Sequence, residues 1–321
     1  MIARRAALAF PALLLAPRVG AQGWAPTRPI RFVLPLASGG SLDALARLIG
    51  VRVSLLLGQP VVVEPRPGAG GNIAFEYVAR AAPDGHTILV GWDSLVINPT
   101  LYGSVRYDPV ADFVPIVQTI GAPQVLVVRA DGARDLAALV AMAKAGRPPL
   151  NWASPGNGSI GHMTGELFRA AAALPDFAHI PYRGAAPAIV DLLAGNVHAL
   201  WVSLPAAAEH LREGRLRALV LTSAARSSVL ATVPTAREAG YADLVIVSWQ
   251  GLLAPAGTSV PAIATLNAAV NAALDSEELR VWIAAQGSER VGGAPEVLAT
   301  QIRADLPRWA EVVRRSGARP D

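Results

Sequence analysis

Two hydrophobic rhythms alternate along the chain, short apolar runs and longer stretches whose apolar residues recur every three or four positions. Residues 30–35, apolar apart from Arg31, are followed by Ser38-Gly39-Gly40-Ser41, which predicts a buried strand and a turn. Leu42, Leu45, Ala46, Ile49, Val53 and Leu56 then follow at helical spacing, and Gly58 closes the helix. A strand at 61–64, a glycine turn at 68–71, a helix at 72–82 and a strand at 87–91 complete this series. A second series predicts helices at 134–145, 159–173, 185–194 and 205–213. Its strands fall at 150–153, 178–180, 197–202 and 216–222. Strand-like segments at 124–128 and 245–253 join the two series. Three amphipathic stretches begin near Pro261, Ser276 and Ala294, and Pro307 is expected to kink the last. Strand-helix alternation implies parallel strands with crossover helices, an α/β architecture. Two such series crossed twice by the chain describe a hinged clamp able to enclose a small ligand.

Composition adds limits. The 321 residues are 52% apolar and 16% charged, too long for one ordinary core and too apolar for disorder. The first residues read as a secretory leader. Arg4-Arg5 precedes an apolar run from Ala6 to Ala16 broken only by Pro11, and Val19-Gly20-Ala21 supplies small residues for cleavage after Ala21. A run of eleven is shorter than the roughly 20 residues a membrane span needs. The poor match after Arg4-Arg5 favours the general export route over the twin-arginine one. Losing residues 1–21 removes three arginines and no acid, so 28 basic residues become 25 against 24 acidic. That near-neutral balance gives no support to nucleic-acid binding. With no cysteine there is no disulfide framework, thiolate metal site or cysteine nucleophile.

Candidate chemistry gathers at two glycine-rich helix entrances, one per series. The first is Leu36-Ala37-Ser38-Gly39-Gly40-Ser41-Leu42-Asp43; the second runs Ser154-Pro155-Gly156-Asn157-Gly158-Ser159-Ile160-Gly161-His162. First-turn amides lack intrahelical partners and sit at the positive end of the helix dipole, so such an entrance can hold an anion without a charged side chain. The alternative is two ordinary turns that use glycine and serine only for capping. Gly68-Ala69-Gly70-Gly71-Asn72-Ile73 imitates a dinucleotide fingerprint, but Ile73 stands at the third glycine position, against a nicotinamide enzyme. Around Ser159 the glycine two residues earlier is missing, against a nucleophile elbow. No glycine loop carries a Walker lysine. His162 and Glu166 share a helical face but lack a third ligand, so no metal site is expected. Arg183, in Tyr182-Arg183-Gly184, can pair with a second carboxylate or stand solvated on the surface. Trp92 and Trp152 each follow a strand where an aromatic ring can pack on a ligand or simply fill the core.

These loops resemble the Bug receptors, the substrate-binding proteins of tripartite tricarboxylate transporters. The matching landmarks are Gly39-Gly40-Ser41-Leu42-Asp43, Gly58-Gln59-Pro60-Val61-Val62-Val63-Glu64, Arg66-Pro67-Gly68-Ala69-Gly70-Gly71-Asn72-Ile73 and Pro83-Asp84-Gly85-His86-Thr87. Ile97-Asn98-Pro99, Tyr107-Asp108-Pro109, Gly165-Glu166-Leu167-Phe168, Pro181-Tyr182-Arg183-Gly184 and Trp249-Gln250-Gly251-Leu252-Leu253-Ala254-Pro255 continue the series.

The resemblance implies an α/β, two-lobed periplasmic binding protein of type II character, each lobe a mixed sheet flanked by helices. One lobe is expected at 22–123 plus 250–321 and the other at 124–249. It implies a monomeric solute receptor, without catalytic residues or cofactor, that closes on a small carboxylate and delivers it to inner-membrane transporter subunits. Carried over to this chain, Ala37, Ser38, Gly39, Gly40, Asp43, Ser154, Gly156 and Ser159 are the expected ligand-binding positions. Gly91, Trp92, Asp93, Ser94, Asn98, His162, Tyr182 and Arg183 form a second tier around the cleft. Two departures stand out. Ser38 occupies a position where the family usually has proline, and Val202-Ser203 stands where an Asp-Asn pair is common. Without that aspartate the site lacks a receiver for an amino group, so the expected ligand is a di- or tricarboxylate or an aromatic acid. A periplasmic α/β hydrolase and a receptor that presents its ligand to a sensor protein are the alternatives.

Overall fold

A computed structural model describes residues 23–320; the expected leader and its cleavage point lie outside them. The first series forms strands β1 (Ile30–Leu34), β2 (Val61–Pro65) and β3 (Thr87–Trp92), with helices α1 (Ser41–Leu57), α2 (Asn72–Ala79) and α3 (Ser94–Tyr102). β1 pairs in parallel with β2 on one side and β3 on the other, as crossover helices require.

The next strand departs from expectation. β4 spans Phe113–Arg129, where the sequence marks only 124–128 as strand-like. Pro115, Gly121 and Pro123 disguise its first half, because proline and glycine ordinarily interrupt a strand. Here the pairing register shifts between Pro115 and Val117, so the ladder absorbs Pro115 at an irregularity.

β4 belongs to both lobes. Over Phe113 to Pro123 it pairs with β9 (Val247–Pro255), and β10 (Glu289–Arg290) takes its other edge. From Gln124 onward it pairs instead with β7 (Ala199–Ser203) and β8 (Leu216–Leu221). The second lobe adds parallel β5 (Asn151–Ser154) and β6 (Ala178–Pro181), giving the order β2-β1-β3-β9-β4-β7-β5-β6. Its helices are α4 (Leu136–Ala145), α5 (Ile160–Ala171), α6 (Ala185–Ala194) and α7 (Leu204–Arg212). The chain finishes with α8 (Val260–Leu274), α9 (Glu277–Ala285) and α10 (Pro295–Ser316).

Helix α3 carries no clear sequence signal, since Pro99 lies inside it and cannot donate to the Leu95 carbonyl one turn back. The Tyr107 hydroxyl reaches that carbonyl at 3.3 Å and Asn72 Oδ1 at 3.2 Å, so one side chain supplies what proline removed. Helix α10 runs unbroken through Pro307. In α1 the expected face is buried except for Leu56, which is 55% exposed; Leu57 meets the core in its place.

One apolar cluster joins α1, α8 and α9 to one face of the first lobe's sheet. Another joins α6 and α7 to a face of the second. The third is continuous between lobes: Phe75, Leu95 and Leu101 belong to it together with Trp152, Phe168, Trp201 and Trp309. α10 packs on α3, β4 and α5, so the C-terminal helix spans the junction.

Candidate functional site

At the first entrance Leu36 to Gly40 are all exposed, and α1 begins at Ser41 with Gly40 as its N-cap. No side chain caps this helix, so its first-turn amides lack intrahelical and capping partners alike. Gly39 has φ +98°, a conformation other residues resist, and a side-chain carbon built on Gly39 or Gly40 would enter open space. Asp43 lies beneath the loop. Its carboxylate accepts the Gly39 amide at 2.9 Å and meets Arg47 at 2.9 Å. Burial pushes the Asp43 carboxyl up, but Arg47 and the Gly39 amide outweigh it and hold it below the usual range. Asp43 thus shapes the turn, leaving main chain as the exposed polar surface.

The second entrance, after β5, is bound up internally. Ser154 is fully buried; its hydroxyl donates to the Gly156 carbonyl at 3.1 Å, accepts the Gly156 amide at 3.3 Å and lies 2.7 Å from His179 Nε2. Ser159 caps α5 by accepting the His162 amide and donates to the Gly156 carbonyl at 2.7 Å. His162 Nδ1 accepts the Gly158 amide at 3.1 Å. The Ser154–His179 contact is not a nucleophile–base pair in waiting. The hydroxyl is enclosed, and burial with the neighbouring His162 pushes the His179 imidazole down to about 3, a weak base.

The two entrances meet common ground at α3. β1 and β3 are adjacent and parallel, so the first loop and the start of α3 leave the same edge of the sheet. A side-chain carbon on Gly158 would fall 2.0 Å from Leu101 Cδ2, so the second loop lies directly against α3.

Several second-tier candidates make contacts within the fold. Gly91 is buried opposite Gly251, and Ser94 is the buried first residue of α3. The Asp93 carboxylate accepts from the Ser248 hydroxyl and, at 3.4 Å, from the Trp249 amide, tying α3 to β9. Complete burial, with Asp305 nearby, pushes the Asp93 carboxyl up to about 7. Asn98 holds the glycine turn, donating to the Gly70 carbonyl at 3.1 Å and to Asn72 Oδ1 at 2.8 Å. The Tyr182 hydroxyl donates to Asp191 at 2.6 Å; partial burial and that carboxylate push it up to about 12. Trp152 is core, fully buried with its indole donating to the Phe177 carbonyl at 3.1 Å, whereas Trp92 stays half-buried against Phe75. Arg183 is exposed, and main-chain bonds from Tyr182 to Ser154 and from Gly184 to Pro155 fix its segment beside the second loop.

Sequence reasoning assigned no role to His179 or Leu101. His179 belongs to no motif in the sequence, and no local signal marks Leu101 as the neighbour of a loop some 57 positions later. Two cavities, of about 510 Å³ beside α2 and about 520 Å³ between α5 and α10, include no residue of either entrance in their walls. Among the described residues no three His, Cys, Asp or Glu side chains converge as a metal site, and no helix is long and apolar enough to cross a membrane.

The model of the tripartite tricarboxylate transporter family receptor matches residues 45–318. The chain belongs to this receptor family. BugT of Bordetella pertussis is 40% identical over 299 residues, covering 92% of this chain and 91% of BugT. Malate-bound MatC of Rhodopseudomonas palustris superposes with a TM-score of 0.82 at 35% identity, over 90% of this chain and 99% of MatC. An adipate-bound R. palustris protein gives 0.84 at 35% identity, over 92% and 99%. The receptor is therefore a solute-binding protein with the two-lobed fold of its periplasmic relatives.

Proposed function

We propose that this receptor captures a small dicarboxylate between its two glycine entrances and delivers it to membrane subunits of a tripartite transporter. The uncapped, glycine-opened N-terminus of α1 carries the reading: unpartnered amides at a positive helix end, under an exposed loop, suit a carboxylate and need no charged partner. In this reading main chain around Ala37, Ser38 and Gly40, in a turn that Asp43 holds through the Gly39 amide, receives one carboxylate, and the Ser154–Ser159 turn closes on it from the other lobe. Arg183, held beside that turn, meets the second carboxylate. Malate and adipate, bound by the two relatives, are both dicarboxylates without an amino group. Val202-Ser203, which offers no carboxylate to an ammonium, supports the same choice.

The leader 1–21 is removed after export, and the mature chain works in the periplasm. The lobes comprise 22–123 with 250–321, and 124–249. The change of β4 partners after Pro123, and the start of β9 at Val247, support that division to within a few residues.

Calorimetry tests the reading with malate, adipate and glutamate as the amine-bearing control. Binding is expected for a dicarboxylate and not for glutamate, and Arg183→Ala should weaken it tenfold or more, about 1.4 kcal/mol. Glutamate binding more tightly than either dicarboxylate, or no dicarboxylate binding, would overturn it.

A further inference from the structure

Beneath the second entrance three rings cluster. His162, on the first turn of α5, and His179, on β6, stack with centroids 3.9 Å apart and planes within 10°. Trp152 packs beside the pair, its ring 4.3 Å from His179 and 6.0 Å from His162, centroid to centroid. Each imidazole governs a different glycine of the loop. His162 Nδ1 accepts the Gly158 amide directly. His179 Nε2 contacts the Ser154 hydroxyl, and that hydroxyl grips both the amide and the carbonyl of Gly156.

From this geometry we infer that His162 and His179 are a positioning pair: they set the main chain of Gly156 and Gly158 in the ligand-receiving orientation without touching the ligand themselves. The inference rests on the carboxylate reading of the cleft.

The chemistry follows from the donors and acceptors. An acceptor for the Gly158 amide requires an unprotonated Nδ1, which leaves the His162 proton on Nε2, facing Glu166 Oε1 at 4.0 Å. The Ser154 hydroxyl hydrogen points to the Gly156 carbonyl, so His179 donates from Nε2 to the serine oxygen. The His162 assignment is that of a neutral ring, and burial, which lowers the His179 pKa, keeps that ring neutral too. A loop held by neutral rings presents its remaining amides to an anion with no fixed cation beneath it. Gly158 also abuts Leu101, so the orientation of its peptide decides whether the loop can lie against α3.

The experiment replaces ring nitrogens selectively and measures malate and adipate affinity by calorimetry, with the melting temperature of the ligand-free protein recorded alongside. His162→Asn keeps an oxygen acceptor near Nδ1, whereas His162→Phe keeps an aromatic ring and deletes the acceptor. At the other ring, His179→Gln keeps a donor near Nε2 and His179→Phe removes it. Expected are affinities within about threefold of wild type for Asn and Gln and losses of tenfold or more for both Phe variants. Equal losses in the paired variants, or Phe variants that bind like wild type, overturn the inference and leave the carboxylate reading standing. Should His162→Phe fail to fold, the His179 pair decides alone. A wild-type chain that binds neither acid overturns both readings together.

Discussion

Gly39 and Gly40 sit side by side yet differ in what they tolerate. Gly39 needs its positive φ, so any substitution there distorts the turn before it affects a ligand. Gly40 has φ −84°, ordinary for any residue, and nothing within 4 Å of an added side-chain carbon. Gly40→Val is therefore the cleaner probe, filling the space above the α1 amides without straining the backbone. Dicarboxylate affinity in calorimetry should fall tenfold or more while the melting temperature of the ligand-free protein stays within about 2 °C, since surface changes usually shift stability by under about 0.5 kcal/mol. Unchanged affinity would remove α1 from the site. At this scale the sequence was informative about main chain and less so about side chains. Glycine pairs reveal where backbone is exposed. They do not reveal that the Asp43, Asn98 and Tyr182 side chains are engaged by Arg47, Gly70 and Asp191.

Among the elements, α3 shows how a helix survives a proline that local rules count against it. Pro99 frees the Leu95 carbonyl, and the Tyr107 hydroxyl, shared with Asn72, answers it. Tyr107→Phe should cost about 1–3 kcal/mol, the usual penalty for a buried acceptor left unmatched. In a Pro99→Ala background, where the alanine amide can donate to the Leu95 carbonyl, the same change should cost measurably less. Denaturant unfolding of the four proteins in a double-mutant cycle checks this, and strict additivity would mean that the hydroxyl does not serve that carbonyl. The helix was illegible because its signal is non-local: Tyr107 follows Leu95 by twelve positions, outside any helical period. β4 was half-legible for a related reason, its prolines being tolerated by a partner strand more than a hundred residues away.

For the whole molecule, Asp93 marks where α3, β9 and α10 converge. The carboxyl is pushed up to about 7 by complete burial, against bonds from Ser248 and Trp249, with Asp305 of α10 adding to the rise. Asp305 is itself raised by burial, opposed by Gln301 and Arg308. Between about pH 4 and 7 the unfolded chain has released the Asp93 proton while the folded chain keeps it. Its contribution to stability is thus full below about pH 4 and is lost as pH rises toward 7. His179 works in the opposite sense. With its folded pKa near 3, below the unfolded value of about 6.5, stability declines as pH falls through that window. The two slopes overlap, so the informative quantity is the difference between wild type and Asp93→Asn, in which the His179 contribution cancels. Denaturant midpoints should show the variant gaining on wild type by about 2–3 kcal/mol between pH 5 and 7.5. A constant difference would mean that Asp93 does not hold its proton in the folded chain.

The amino-acid order alone determined the α/β class, the positions of most strands and helices and the two glycine entrances. Each of these depends on periodicity or on backbone freedom within a few neighbouring residues. Only the tertiary structure decided how the lobes share β4 and one apolar cluster, and which side chains hydrogen-bond within the loops. It also placed Gly158 against Leu101 and the two histidines beneath the second entrance. Those outcomes depend on which distant segments the folded sheet brings together, information that no local spacing contains.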